Sequence, residues 1–242
     1  MTRKRADVVL VERGFFASRA RAQEAISAGL VTVNGAIIRK ASDTVPEEAV
    51  ITAEQPHPYV SRGGVKLAAA LDVFQIDPKD KTCLDIGAST GGFTEVLLNR
   101  GAAHVYAVDV GHGQLHPTIA GHARVTNLEG TDARALNAGL IPQAADLLVS
   151  DVSFISLKLV LPAAIALLKP QAELAVLVKP QFEAGRDLVK KGIVRDGAVH
   201  RAVCEDMRAF VSSLRFEVMG LIPSPIEGGD GNREFLLGAR RG

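Results

Sequence analysis

At 242 residues and 47% apolar composition, the chain is long enough for one large domain or for a small domain joined to a medium one, with ample material for a packed core. Net charge is only +1, yet residues 1–40 carry eight Lys or Arg against three acids, so the basic character is local and a uniformly acidic or basic protein is excluded. The longest apolar run, Leu159 to Leu168, is broken by Pro162 and falls short of the roughly 20 residues of a membrane span, MTRKRADVVLVERG returns to charge too soon for a secretory leader, and two cysteines, Cys83 and Cys204, make no disulfide framework and suit a reducing cytoplasm.

In chain order, RADVVLVERG predicts a short helix, and Ser18 is an N-cap for a second helix ending at Gly29. LVTVNGAII predicts a hairpin turning at Asn34-Gly35. Pro56 and Pro58 in AEQPHPYVSRGG stiffen a linker and set a domain boundary near Pro58, dividing the chain into residues 1–58 and 59–242. Beyond it, YVSRGGVKLAAAL opens a helix with Leu67, Leu71 and Phe74 on its apolar face. Strands are expected at Thr82–Ile86, His104–Asp109, Arg124–Leu128, Asp146–Ser150, Glu173–Val178, Phe216–Ile222 and Glu234–Ala239, with helical periods between most of them. That alternation predicts an α/β fold with a seven-stranded, mostly parallel sheet covered on both faces, and the loop PSPIEGGDGNR lets the last two strands pair antiparallel.

The stretch KTCLDIGASTGGFTEVLL reads as strand, glycine turn and helix, a place where free backbone N–H groups and the helix dipole meet a ligand. A dinucleotide fingerprint needs glycine where Ser89 stands, and a P-loop needs lysine where Phe93 stands, so neither phosphate site is supported. S-adenosylmethionine is the remaining common user of such a turn. A tight turn in some other α/β protein stays open.

Ligands of open α/β sheets lie outside the carboxyl ends of the strands, which singles out the polar residues there. Asp109 ends VYAVD, where a carboxylate can accept from both ribose hydroxyls of a nucleoside, or else cap the next loop. Asp132 in EGTDARAL either receives an adenine amino group or N-caps the next helix. Asp151 ends DLLVSD and Lys179 ends LAVLVK, delivering an acid and a base to one edge. Glu234 begins EFLLGA, and an antiparallel final strand starts where the parallel ones finish, while Lys66 can face the same edge from its helix.

The set Lys66, Asp151, Lys179 and Glu234 resembles the catalytic tetrad of FtsJ-like RNA 2′-O-methyltransferases. YVSRGGVKL, DIGASTGGFT, SDVSFISL, VKPQFEAG, KGIVRD and GNREFLL look like segments of TlyA-type ribosomal RNA methyltransferases, some of them named hemolysins, and residues 3 to about 58 are similar to that family's alpha-L (S-four type) RNA-binding motif. The resemblance implies a Rossmann-like methyltransferase domain behind a small N-terminal α+β RNA-binding domain. It implies S-adenosylmethionine held by Asp85, Gly87, Ala88, Ser89, Gly91, Gly92, Phe93, Asp109, Val110, Asp132 and Asp151. Ribosomal RNA within ribosomal subunits is the implied substrate, with methylation on a cytidine 2′-oxygen and the short chain ends resembling members that modify the large subunit only. One departure is Glu129-Gly130-Thr131-Asp132, where the family often has Glu-Arg-Thr-Asn.

In that chemistry the enzyme aligns oxygen, methyl carbon and sulfur and removes one proton. Lys179 is the expected base, neutral part of the time, or else a cation that steers the hydroxyl lone pair; the acids orient. Asp151-Val152-Ser153-Phe154 is not the Asn-Pro-Pro-Tyr of adenine amino-methyltransferases, and neither cysteine is placed as a nucleophile for pyrimidine carbon methylation. No His or Cys cluster has metal-ligand spacing. For RNA, Arg19 and Arg21 stand in the first turn of the helix capped by Ser18, where a phosphate would explain cations at the dipole's positive end, with Lys4, Arg5, Arg39 and Lys40 as further contacts. A membrane-lytic hemolysin and a ribosome-binding module without enzyme activity are the alternatives from other classes.

Overall fold

The computed structural model describes residues 3–228 and 231–242. The chain divides into two compact units, Met1–Pro58 and Tyr59–Gly242. In the first, β1 (Arg3–Arg5) pairs antiparallel with β4 (Thr44–Pro46), and β2 (Val31–Val33) lies between β3 (Ala36–Ile37) and β5 (Ile51–Ala53). Helices α1 (Ala6–Glu12) and α2 (Arg19–Ser27) cover these short strands with Leu10, Phe16, Ala22 and Ile26 buried between them. Ser18 caps α2 by accepting from the Arg21 N–H at 3.3 Å. Asn34 and Gly35 both take positive φ, +51° and +80°, the geometry a two-residue hairpin turn demands. The sequence does not reveal β1, β4 and β5, because three residues are too few to display a period of two.

One carboxylate organises this unit. Asp7 is fully buried and accepts from Arg5 Nε at 3.0 Å, Arg19 Nη2 at 2.8 Å and Gln23 Nε2 at 2.7 Å. The Arg5 hydrogen bond, with those of Gln23 and Arg19, holds its carboxyl well below the usual carboxylate range.

In the second unit α3 (Gly63–Phe74) precedes β6 (Thr82–Ile86), α4 (Gly92–Asn99), β7 (His104–Asp109), α5 (Pro117–Ala120), β8 (Val125–Glu129), β9 (Ala145–Ser150) and α6 (Leu157–Ile165). There follow β10 (Leu168–Val178), α7 (Pro180–Glu183), α8 (Gly197–Ser213), β11 (Glu217–Pro223) and β12 (Phe235–Arg241). The seven strands run in the order β11-β12-β10-β9-β6-β7-β8, and only β12 opposes its neighbours. Alternate residues feed two cores. Leu84, Ile86, Leu148 and Val176 pack with α6 and α8, while Cys83, Leu147, Val149 and Leu177 pack with α3 and α4. Strand β10 starts five residues before the expected Glu173, because Leu168 already pairs with Ala145 ahead of a register break around Pro170. Asp132 caps a 3-10 turn, Ala133–Ala135, rather than the expected α-helix. No described helix is long and apolar enough to cross a membrane.

A carboxyl whose pKa is lower when folded stabilises the fold above its unfolded value, near 4, and loses that contribution as pH falls below it. Asp7→Asn should therefore raise amide exchange across residues 3–53 at pH 7, with the gap from the wild type closing toward pH 2. A gap of the same size at both pH values would show that Asp7 does not act through its charge.

Candidate active site

The glycine turn between β6 and α4 shapes the site by having no side chain at its first position. Gly87 takes φ +83°, and a Cβ there would lie 2.9 Å from the Asp151 carbonyl oxygen, so the turn and the end of β9 touch backbone to backbone. Contrary to the expectation of free N–H groups, the turn spends most of its donors internally. Gly87 and Ala88 N–H both donate to the Val108 carbonyl, at 2.8 and 3.0 Å, and Gly91 N–H donates to Ala88. Ser89 N–H donates to Asp109 Oδ2 at 2.8 Å, and Gly111 N–H to its Oδ1 at 2.8 Å, so Asp109 ties the turn to the loop after β7.

A cavity of about 640 Å³ opens at this edge. Of the expected cofactor residues, Gly87, Ser89, Asp109, Val110, Asp132 and Asp151 line it. Asp85, Ala88, Gly91, Gly92 and Phe93 are not in its wall: Phe93 is buried against the core beside α3, and Gly91, at φ +97°, serves to start α4. The Asp132 carboxylate lines the cavity but is engaged by Arg134, whose Nη2 lies 2.6 Å away, and by the Arg134 N–H at 2.9 Å.

Asp85 lies under the turn, fully buried, with Thr94 Oγ1 donating to its Oδ2 at 2.6 Å and no hydrogen-bond partner for its Oδ1. Burial pushes this carboxyl up to about 7, against the opposing Thr94 hydrogen bond and with help from the Asp151 charge.

At the neighbouring strand ends four charges meet. Lys66 Nζ donates to Glu234 Oε2 at 2.6 Å and stands 3.9 Å from Asp151 Oδ2; Lys179 Nζ lies 2.5 Å from Asp151 Oδ1 and donates to Ser153 Oγ at 2.8 Å. Lys66, Lys179 and Glu234 are each more than nine-tenths buried. The Lys179–Asp151 approach falls off the hydrogen-bond angle, which makes it an ion pair by proximity alone.

Sequence reasoning assigned no role to Ser153, Phe154 or Phe182. Phe154 is 92% exposed at φ +64°, lines the cavity, and meets the Phe182 ring at a centroid distance of 5.2 Å; Phe182 in turn lies 6.0 Å from Lys179 Nζ. A large apolar side chain held out in water by strained backbone is the signal, and sequence does not display it.

Residues 59–241 match the FtsJ-like methyltransferase family, and residues 4–51 match the S4 domain. The chain belongs to the FtsJ-like methyltransferase family. It is 46% identical over 238 residues to YqxC of Bacillus subtilis, whose name marks it as a candidate rRNA methyltransferase, covering 97% of this chain and 85% of that one. It is 42% identical over 241 residues to the 16S/23S rRNA (cytidine-2′-O)-methyltransferase TlyA of Mycobacterium tuberculosis, covering 98% and 90%. A solved structure titled as a hemolysin from Streptococcus thermophilus superposes with TM-score 0.79 at 41% identity, covering 100% of this chain and 89% of that one. The chain is thus a methyltransferase with an N-terminal S4 domain.

Because the Asp85 carboxyl titrates higher when folded than when unfolded, its contribution to stability is complete below about pH 4 and is lost as pH rises through about 7. Asp85→Asn should remove that loss, so the melting temperature of the variant gains on the wild type between pH 5 and pH 8. Parallel melting curves across that range would refute the assignment.

Proposed function

We propose that this chain transfers a methyl group from S-adenosylmethionine to the 2′-hydroxyl of a cytidine in ribosomal RNA, acting on ribosomal subunits in the cytoplasm, with residues 1–58 as RNA-binding domain and 59–242 as catalytic domain. The observation that carries the reading is the set of buried Lys66, Glu234 and Lys179 around partly exposed Asp151, beside a cavity bounded by Asp109. The likeness to TlyA over nearly the whole chain supports the acceptor.

The cavity suits the proposed methyl donor. Its volume lies in the range of small-ligand sites, Val108, Val110, Val152 and Ile155 give it apolar walls for an adenine, and Asp109 keeps acceptor capacity for ribose hydroxyls. Ser89, Asp109 and Asp151 on the same wall supply oxygen acceptors for a polar, cationic tail. When bound, S-adenosylmethionine supplies a methyl carbon on a cationic sulfur, already a strong electrophile.

The protein's task is then orientation and removal of a proton. Phe154 gives the target base a face to stack on and so holds its ribose at the cavity mouth. Lys179, held by Asp151 and Ser153, would accept the hydroxyl proton from its neutral form, or as a cation would steer the hydroxyl lone pair toward the methyl carbon. Lys66 and Glu234 fix Asp151 from the other side and keep two cations balanced by two anions in a nearly dry setting. In the first unit Arg39 and Lys40 are exposed and suited to phosphate, Lys4 is paired with Glu12, and Arg21 is bonded to Gln55 and His57. Arg5 and Arg19 are anchored on Asp7, so the placement of Arg19 at the start of α2 has an intramolecular reason and any RNA contact uses what that anchoring leaves exposed.

Nucleoside mass spectrometry of ribosomal RNA from a strain lacking the gene, treated with the enzyme, should show a new 2′-O-methylcytidine; a methyl on a base, or none, would overturn the reading. Lys179→Ala should slow transfer by about 10²–10⁴-fold. Unchanged biological effect in that variant would favour a non-catalytic RNA-binding protein. Asp109→Ala should weaken S-adenosylmethionine binding by roughly 10–100-fold, from lost charge-assisted hydrogen bonds, as read by calorimetry.

A further inference from the structure

Two segments that the transfer chemistry leaves unused, apart from Glu234, are KGIVRD and GNREFLL. They meet through Asn232, which is 4% exposed, accepts from the Val194 N–H at 3.3 Å and donates to the Gly192 carbonyl at 3.0 Å. The turn it clamps is tight: Lys190 and Ile193 exchange both backbone hydrogen bonds at 3.1 Å, and Lys191 and Gly192 between them take φ +51° and +77°. Between the two segments lies a cavity of about 300 Å³ whose wall includes Val194, Arg195, His200 and Arg233.

Among the described residues, the charged side chains that line it are Arg195 and Arg233. Arg195 and Arg233 are exposed and neither has a hydrogen bond or ion pair among the described residues. Arg201, also exposed, brings Nη1 to 3.6 Å from where a Cβ on Gly197 would stand, at the cavity wall. Of the nearby carboxylates, Asp196 caps α8 through the Ala198 N–H at 2.7 Å, and Glu227 brings Oε2 to 3.6 Å from where a Cβ on Gly231 would stand, at the opposite segment of the wall. The same end of α8, a 17-residue helix, directs its positive dipole end here. Buried Asn232 fixes the backbone that carries Arg195 and Arg233, whereas a merely solvated basic face needs no such scaffold.

Arg233 in the cavity wall directly precedes Glu234, whose carboxylate holds Lys66 at 2.6 Å. We propose that Arg195, Arg201 and Arg233 form a phosphate grip for the RNA strand that carries the target nucleotide, fixing a backbone phosphate close to the reacting ribose. The inference rests on the RNA methyl-transfer reading and extends the RNA footprint from the basic N-terminal unit to the catalytic one. Guanidinium forks match phosphate oxygens two at a time, and contacts of this kind fix register on a strand without reading its sequence.

The test uses the full chain and a fluorescein-labelled 20-nucleotide single-stranded RNA, with anisotropy read across a salt series. Arg195→Gln/Arg233→Gln should flatten the dependence of log affinity on log salt by about 0.7, one phosphate on a single strand, and weaken binding about tenfold at 0.1 M salt. Arg195→Lys/Arg233→Lys should keep most of the wild-type slope, and S-adenosylmethionine binding should be the same in all three proteins. A wild-type slope in the Gln variant overturns the proposal. So does a fall in melting temperature or cofactor affinity that matches the RNA loss, which would make the arginines structural. If the wild type itself places no methyl on ribose, the functional reading fails; if it does and the Gln variant keeps the wild-type slope, only the phosphate grip fails.

Discussion

Two lysines and two carboxylates meet at one sheet edge, three of them buried and Asp151 partly so, and each has a partner. An isolated buried charge costs several kcal/mol or more, and removing one member of a buried pair leaves the other uncompensated. Lys66 has Glu234, Lys179 has Asp151, and Asp151 also faces Lys66, so the group tolerates exclusion of water only as a whole. The arrangement constrains the topology. Four elements must end within a few ångströms of one another, and three of those ends are supplied by the sheet.

The reversed strand makes this possible. Val178 pairs with Phe235 in the antiparallel register of β10 and β12, so the residue after one strand and the residue before the other, Lys179 and Glu234, stand at the same edge. A parallel β12 would have sent its first residue to the opposite edge, some six residues of strand away. The backbone contact between Gly87 and Asp151 fixes the other side, because a side chain at Gly87 would collide with the carbonyl of the residue whose carboxylate bridges both lysines. The cavity beside Asp109 and the four-charge group are thereby joined through one short backbone contact.

The N-terminal unit solves a similar electrostatic problem on a smaller scale. Its strands are two or three residues long and its core is small, so much of its order depends on Asp7, a buried acid that accepts from Arg5, Arg19 and Gln23. Basic residues in this unit thus fall in two groups. Some hold the fold together, and others, such as Arg39 and Lys40, remain exposed.

Sequence by itself determined the parts governed by local rules. The seven strands follow from runs of apolar residues buried on both faces, the N-cap at Ser18 and the turn at Asn34-Gly35 from residue types with few alternatives, and Asp151, Lys179 and Glu234 from polar residues placed at strand ends, with Lys66 on α3 joined to them by family resemblance. What depends on approach in space was not legible: the three-residue strands of the first unit, the spending of the turn's N–H groups on Val108 and Asp109, the pairing of Arg19 with Asp7, and the meeting of KGIVRD with GNREFLL at Asn232. Each of these is a contact between residues that neither periodicity nor propensity relates. Only the folded chain fixes which donor reaches which acceptor, and therefore which charges are left over for a ligand.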